Sequence, residues 1–136
     1  MVAVLAVIPN NQSEILFIRR PGELKIEPSA SGRPGQFCLP GGKIKANESA
    51  EAAAVREVFE EVGLRVVPVK RLAEFSGQIY FLCHLISCDT VVLNRRECAA
   101  HVWSLPSEIL SIGFLSDLNR LQQVADNEPL LRCRRQ

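Results

Sequence analysis

The sequence predicts an α/β chain of the α+β class, in which helices flank a mixed β-sheet, as a single domain of residues 1–136. Three observations support this fold class. The chain has 136 residues, close to the commonest size of one domain. Strand-like apolar segments occur together with two segments of helical periodicity. The sequence contains no internal repeat and no low-complexity segment.

The first two predicted strands are residues 2–8 and 14–20, which are apolar and partly β-branched. The turn-forming "PNNQS" lies between them, so the pair is expected to form a β-hairpin. The opening residues lack the basic start of a secretory signal, which favours a strand there. Residues 21–35 are rich in Pro, Gly and Ser and predict a long surface loop, a kind of loop that is often functional.

The next segment, "QFCLPGGKI", predicts a short extended piece that Pro40, Gly41 and Gly42 interrupt. A helix is then expected between Ser49 and Gly63. Ser49 is a suitable N-cap, because its hydroxyl can accept a hydrogen bond from the first turn. Gly63 suits the left-handed residue that commonly ends a helix.

The remaining elements follow from pattern and capping. Residues 65–76 and 78–88 predict two more strands, and "VVLNR" at residues 91–95 predicts another with a weaker pattern. "PSEIL" predicts a helical turn. Residues 116–126 predict a second helix with Ser116 as its N-cap.

Composition excludes several classes of protein. The net charge of +1 gives no reason to expect a polymeric nucleic acid or an anionic membrane as the partner. No apolar run approaches the roughly 18 residues of a membrane span. The five cysteines form no CxxC pair, which favours buried reduced thiols over disulfides or zinc ligands. These features predict a cytoplasmic protein.

The helix has an apolar face and an acidic face. At about 100° per residue, one stripe is expected to face the core; its members are Ala52, Val55, Val58, Phe59 and Val62. Glu57, Glu60 and Glu61 lie opposite, as i,i+3 and i,i+4 neighbours. Each exposed like-charge pair costs about 0.2–0.5 kcal/mol. A negative charge in the last turn costs up to about 1 kcal/mol more, because the helix dipole is negative there.

Two explanations of this acidic face remain open from spacing alone. A run of like charges is usually a solvated surface. Carboxylates clustered on one face also suit a hard divalent cation such as Mg²⁺ or Mn²⁺, which prefers oxygen ligands and would relieve the repulsion.

The wider pattern separates these explanations. Residues 42–64 read "GKIKANESAEAAAVREVFEEVGL". Their glycines, glutamates, arginine and apolar residues have the spacing of the Nudix box, so the chain resembles the Nudix hydrolases. The resemblance implies an α/β/α sandwich around a central mixed sheet, with the box as a loop–helix–loop motif. It also implies hydrolysis of a nucleoside diphosphate linked to another group, with Mg²⁺ or Mn²⁺ as cofactor.

The resemblance implies roles for box residues. The residues matching Glu57, Glu60 and Glu61 bind the metal in the family, and the carbonyl matching Gly41 often joins them. The arginine matching Arg56 holds a glutamate in position. The residue matching Glu48 is the usual partner of that arginine.

One further candidate lies outside the box. Glu97 precedes Trp103 by six residues, the spacing at which many family members place a further metal ligand or base. A plain surface glutamate is the alternative. Family members differ in the location of the general base, so Glu60, Glu61 and Glu97 are all candidates here.

We take four residues as candidates for substrate binding, namely Arg20, Leu39, Phe75 and Tyr80. Some family members place a phosphate-contacting arginine at the position of Arg20, although a solvated strand-end arginine fits equally. Aromatic residues can stack on a base, but in strands they more often belong to the core.

The "FIRR" and "LPGGK" segments are similar to those of small nucleoside triphosphate pyrophosphatases. They favour hydrolysis of a (deoxy)nucleoside triphosphate to the monophosphate and pyrophosphate. The alternatives are a nucleotide sugar, a dinucleotide or coenzyme A as substrate, or a regulatory domain that binds a nucleotide without turnover. We expect a small-molecule nucleotide as partner, and a homodimer is compatible with the family.

Overall fold

The fold is α+β with a mixed sheet, as the sequence predicts. The computed structural model describes residues 2–21, 37–86 and 90–105. Contacts divide the chain into two compact units, Met1–Ile8 with Leu39–Asn94 and Pro9–Cys38 with Arg95–Gln136. The single domain of residues 1–136 stays a prediction.

The first unit contains a four-stranded mixed sheet and a helix. Its strands, numbered in chain order, are β1 (Ala3–Val7), β4 (Gly41–Lys43), β5 (Val66–Phe75) and β6 (Gln78–Leu85), and the helix is α1 (Ala50–Val62). The strand order is β4-β1-β6-β5. β1 is parallel to β6 and antiparallel to β4, and β5 is antiparallel to β6. The central strands β1 and β6 are almost wholly buried, which fits their continuous apolar sequences.

The predicted bounds of the helix are confirmed because its end signals are local. The Ser49 hydroxyl accepts a hydrogen bond from the Ala52 N–H at 3.0 Å. Gly63 adopts φ 72°, and its N–H donates to the Phe59 carbonyl at 3.0 Å. Both contacts satisfy groups that a helix end leaves without an intrahelical partner.

The predicted core stripe of the helix is wrong in three of its five members. Ala52, Val55 and Phe59 are exposed, with Phe59 50% accessible. The buried residues of α1 are instead Ala53, Ala54, Val58, Glu61 and Val62. The buried face is therefore turned by roughly 100°, one residue's step, from the expected one. This rotation places a carboxylate inside and leaves an apolar pair outside.

The exposed apolar pair is partly sheltered. Val55 and Phe59 line a groove of about 400 Å³ together with Arg56, Glu60 and Arg65. The Arg65 guanidinium lies 5.6 Å from the centre of the Phe59 ring, which is within the range of a cation–π contact.

The second unit contains a three-stranded antiparallel sheet. Its strands are β2 (Ile15–Arg19), β3 (Phe37–Cys38) and β7 (Ala100–Ser104), in the order β3-β2-β7. β2 pairs with β3 on one side and with β7 on the other. Its apolar run from Ile15 to Ile18 is buried throughout.

The predicted hairpin between the first two strands is wrong. β1 and β2 belong to different sheets, and the turn between them contains an isolated bridge between Pro9 and Ile15. The apolar sequence of each strand predicts burial, but it does not identify the partner strand. β1 pairs with β6, and β2 pairs with β7, strands that come much later in the chain.

Two later segments also differ from the prediction. Residues 91–95 form no strand, although "VVLNR" predicts one there. β7 is a strand that the pattern analysis missed. The strands expected at residues 65–76 and 78–88 are confirmed as β5 (Val66–Phe75) and β6 (Gln78–Leu85), and residues 87–88 lie outside the described residues. The long loop, the helical turn and the second helix fall wholly or mostly outside the described residues.

Three cysteines of the described segments, Cys38, Cys83 and Cys98, are buried, as expected, and are thiols outside any disulfide. Burial raises the pKa of the Cys83 thiol to about 12, so this thiol stays protonated at neutral pH. Among the described residues, no helix has the length and apolar character needed to cross a membrane.

Candidate metal and hydrolase site

The buried glutamate of α1 is held by β4, which we call the glycine strand because it contains Gly41 and Gly42. Glu61 is 2% exposed, and its Oε1 accepts a hydrogen bond from the Gly41 N–H at 3.0 Å. The carbonyl of the same peptide bond, on Pro40, accepts from the Ala6 N–H at 2.9 Å. Strand β1 therefore orients the peptide that binds the carboxylate. A hydrogen bond to an ionised carboxylate is stronger than one between neutral groups.

The second glycine leaves room for a second carboxylate. A methyl group built on Gly42 would lie 2.6 Å from Oε2 and 2.8 Å from Oε1 of Glu57. No ordinary contact is that short, so only glycine permits Glu57 to occupy this position. The two glycines thus set the places of two different glutamates.

Glu57 and Glu61 come together. One carboxylate oxygen of each lies within 4.8 Å of the other. The third member of the predicted cluster is placed differently. The Glu60 side chain is 45% exposed, and its Oε1 accepts from Arg56 Nη1 at 3.3 Å.

Arg56 links three acidic residues, Glu48, Glu57 and Glu60. Its Nε and Nη2 donate to the two oxygens of Glu48 at 2.7 and 3.0 Å, in a bidentate pair. Its Nη1 donates to Glu57 at 3.0 Å as well as to Glu60. This fork geometry is available to arginine and not to lysine. The predicted Arg56–Glu48 pair is present, and it orients the side chain that also contacts Glu57.

Main-chain groups complete this network, and side-chain patterns did not reveal them. The Lys43 carbonyl accepts from Arg56 Nη2 at 3.1 Å, and the Lys45 N–H donates to Glu48 at 2.9 Å. A turn with Asn47 at φ 64° brings these groups into place. The asparagine was an available turn signal, because this residue type tolerates a left-handed backbone.

The network perturbs both members of the central ion pair. Hydrogen bonds from the Arg56 side chain, helped by the Lys45 N–H, lower the pKa of the Glu48 carboxyl to about 2. The hydrogen bond to Glu48 raises the pKa of Arg56 further above its usual value. Both groups are therefore charged at neutral pH, as a fixed pair requires.

This shift predicts a pH dependence of stability. A carboxyl whose pKa falls on folding stabilises the protein above its unfolded value of 4.5, and that contribution is lost as pH falls from 4.5 towards 2. The unfolding temperature of the wild type should therefore exceed that of Glu48→Gln near pH 6. Thermal unfolding followed by circular dichroism should show the difference shrinking below pH 4.5. A difference that stays constant over this range would contradict the role given to the pair.

The other predicted site residues occupy varied positions. Glu97 is exposed in a turn of the second unit, and Arg20 is partly buried just after β2. Leu39 and Tyr80 are buried. Phe75 contacts Tyr80 edge to face, with ring centres 5.8 Å apart, as packed aromatic pairs do. The metal and substrate roles of these residues stay predictions.

The central carboxylates fit a hard divalent cation. Glu57 and Glu61 provide oxygen donors only, which suits Mg²⁺ or Mn²⁺ better than softer metals. Glu61 is an ionisable group on the buried face of the helix, and burial of a carboxylate is unfavourable unless positive charge or hydrogen bonds compensate it. Gly42 keeps the space beside Glu57 clear of a side chain.

Comparison with known proteins identifies the family of this chain. Residues 1–97 match the family model of the NUDIX domain. The CTP pyrophosphohydrolase of Escherichia coli (strain K12) is 32% identical over 116 residues, which cover 81% of this chain and 80% of that protein. The RNA pyrophosphohydrolase of Edwardsiella ictaluri (strain 93-146) is 42% identical over 95 residues. That match covers 67% of this chain but only 48% of the relative.

Solved structures show the same fold. The MutT protein from Methanosarcina mazei Go1 has a TM-score of 0.70, with 24% identity and 95% coverage of each chain. The family match spans the glycine strand and the whole of α1, the two elements that bring Glu57 and Glu61 together. This chain is therefore a member of the NUDIX family of hydrolases.

Proposed function

We propose that this protein hydrolyses a (deoxy)nucleoside triphosphate to the nucleoside monophosphate and pyrophosphate, with Mg²⁺ or Mn²⁺ as its cofactor. One observation carries the catalytic part of the proposal. Glu61 is buried, is held by the Gly41 N–H and lies within 4.8 Å of Glu57. A pair of carboxylates fixed this closely is unfavourable by itself and becomes favourable beside a divalent cation.

In this proposal Glu57 and Glu61 are the principal ligands of the cation. Glu60, Glu97 and the Gly41 carbonyl are the further candidates. When bound, the cation supplies positive charge to the diphosphate oxygens and lowers the pKa of water. Hydrogen bonds already fix the side chains of both principal ligands: Arg56 donates to Glu57, and the Gly41 N–H donates to Glu61.

Arg56 and Glu48 are positioning residues in this proposal. The bidentate pair fixes the guanidinium, and the guanidinium fixes one oxygen of Glu57 at 3.0 Å. Placement of this kind matters because a displacement of about 1 Å at a reacting group can lower a rate by about a hundredfold.

One proton must leave the attacking water. Glu60 and Glu61 are carboxylates of the same helix, and Glu97 is a third candidate from the second unit. The half-exposed Glu60 can exchange a proton with solvent more readily than the buried Glu61. This difference favours Glu60 over Glu61 as the general base.

The choice of substrate rests on similarity. The CTP pyrophosphohydrolase matches over most of both chains, and its name describes a nucleoside triphosphate as substrate. The "FIRR" and "LPGGK" segments support the same class. Arg20 is the residue we propose for phosphate contact. The buried Leu39 and Tyr80 and the packed Phe75 are better placed to support the fold around a substrate than to touch it.

Other substrates are outcomes of the test. The RNA pyrophosphohydrolase match raises a triphosphorylated RNA end as a second candidate, although it covers about half of that relative. Nucleotide sugars, dinucleotides and coenzyme A remain alternatives within the same chemistry. A cytoplasmic location is part of this proposal, and the buried thiols suit it because disulfides are uncommon in that compartment.

A panel of substrates decides among these possibilities. The purified protein is incubated with the four ribonucleoside triphosphates, their deoxy forms, 8-oxo-dGTP, ADP-ribose, a nucleotide sugar, coenzyme A and a 5′-triphosphate RNA. Each reaction contains MgCl₂ or MnCl₂, with EDTA as the control. We expect monophosphate and pyrophosphate from at least one triphosphate, and no product with EDTA. Absence of product from every triphosphate would refute the proposed substrate class, and tight nucleotide binding without turnover would indicate a regulatory domain.

A further inference from the structure

A short segment after β6 contacts the end of the helix that carries the carboxylates. The Val92 N–H donates to the Val62 carbonyl at 2.8 Å, and the Asn94 N–H donates to the Glu61 carbonyl at 3.0 Å. We name residues 92–94, which bind the C-terminal end of α1, the clamp. It satisfies two of the carbonyls that the last turn of a helix leaves without intrahelical partners.

The charge at this end of the helix makes such donors important. The last turn of α1 contains no basic residue, and Glu60 and Glu61 lie in it. Helix carbonyls carry partial negative charge at this end, which disfavours nearby carboxylates. The two N–H groups of the clamp present the positive ends of their dipoles to these carbonyls. They therefore do locally what a lysine or arginine in the last turn usually does.

Gly63 allows the clamp to come this close. It has φ 72°, in the region that favours glycine, and an added methyl group would lie 3.3 Å from both the Cβ and the carbonyl oxygen of Val92. The helix therefore ends where the clamp begins its contact, with no side chain between them.

Glu61 is consequently restrained at two points. The Gly41 N–H binds its carboxylate, and the Asn94 N–H binds its main-chain carbonyl. A carboxylate on a frayed last turn would move relative to Gly41, because helix ends are the parts of helices that open most readily. The second restraint removes this freedom.

We propose that the main-chain N–H of Asn94 is a positioning group for Glu61, which holds the end of α1 so that the carboxylate stays on the Gly41 N–H. Its consequence for catalysis rests on the proposed function, since it acts through a residue that we assign to the cation. The positioning itself does not depend on that assignment. It requires only the two hydrogen bonds of Glu61.

The test compares two substitutions at one position. Asn94→Pro removes the N–H, whereas Asn94→Ala keeps it and removes only the side chain. Because proline also restricts the preceding residue, a second variant replaces the amide at position 94 with an ester by protein ligation, which removes the N–H with the side chain retained. An ester at Leu93 is the matched control.

Hydrogen exchange of the Gly41 amide, measured by NMR without metal or nucleotide, reports whether Glu61 stays in place. The Ala3 amide, which donates to the Gly77 carbonyl at 3.0 Å, reports general stability of the same sheet. We expect Asn94→Pro and the ester at 94 to speed Gly41 exchange roughly two- to tenfold relative to Ala3, the range that corresponds to one hydrogen bond. Asn94→Ala and the ester at 93 should leave this ratio unchanged.

Equal acceleration at Gly41 and Ala3 would show that the clamp is only structural and would overturn the proposal, as would an unchanged Gly41 rate. Mn²⁺ titration of the same variants by calorimetry gives a second measurement, with an expected loss of affinity of roughly two- to tenfold. A wild type that hydrolyses no nucleotide would refute the proposed function alone. The exchange ratio would still decide the role of Asn94.

Discussion

Glu61→Gln is expected to lower kcat by about two to three orders of magnitude, the loss typical of removing one group that stabilises charge in a transition state. Glutamine has the same shape, and its carbonyl oxygen can keep the hydrogen bond from Gly41. The change therefore removes charge with little effect on packing. Steady-state rates with Mg²⁺ and the best triphosphate of the panel measure the effect.

The unfolding temperature separates a catalytic role from a structural one. Without metal, Glu61→Gln should unfold at the same temperature as the wild type or higher, because burial of an amide is less unfavourable than burial of a charge. Its new N–H₂ group is also suited to donate to the neighbouring Glu57. Glu51→Gln, an exposed change in the first turn of the same helix, is the control and should keep its kcat. An unchanged kcat in Glu61→Gln would remove the basis of the proposed mechanism.

Gly42→Ala is expected to lower kcat by roughly a hundredfold while leaving the fold stable. The added methyl group would lie 2.6 Å from the Glu57 carboxylate, and that side chain must move to relieve the contact. A displacement of about 1 Å at a reacting site has an effect of this size. The kcat and the unfolding temperature, measured on one preparation, show whether activity falls without loss of stability.

Two variants control this result. Gly41→Ala should instead lower the free energy of unfolding by on the order of 3–5 kcal/mol. Gly41 has φ +154°, and an added Cβ would lie 2.0 Å from the Val4 carbonyl oxygen. The backbone of β1 cannot yield as a side chain can. In a Glu57→Gln background, Gly42→Ala should cause much less than its own hundredfold loss, since both changes affect one group. Fully additive losses would show that Gly42 acts elsewhere.

The acidic end of the helix now has a physical explanation in the described residues. Each glutamate has a positive partner or a hydrogen-bond donor: Arg56 for Glu57 and Glu60, and the Gly41 N–H for Glu61. The clamp adds two donors to the last-turn carbonyls. These contacts leave the repulsion between Glu57 and Glu61, which the divalent cation of the proposed function would relieve.

Local signals were sufficient for part of the fold. Ser49 and Gly63 predicted both ends of α1, because a cap depends on the chemistry of a few neighbouring residues. The apolar runs predicted β5 and β6, because this pattern also lies within a few neighbouring residues. The box pattern also identified the family and the pair of Arg56 with Glu48, since that contact lies within one loop and the helix that follows it.

The pairing of strands that are distant in sequence could not be predicted from local patterns. The turn after β1 predicted a hairpin, but β1 pairs with β6 and β4, and β2 pairs with β7 and β3. Alternation and apolarity show that a strand is buried, and they are equally satisfied by many partners. β7 was missed because its sequence contains the polar His101 and the large Trp103 and alternates weakly.

By itself, the sequence determined the ends of α1, the identity of its carboxylates and the family to which the chain belongs. Only the tertiary structure decided which face of α1 is buried and which two glutamates meet. Apolar periodicity favoured Val55 and Phe59 for the core, yet Glu61 is inside and Phe59 is half exposed. The reason is that periodicity counts apolar side chains, whereas the orientation of α1 depends also on a hydrogen bond from Gly41, a donor twenty residues away that no helical pattern contains.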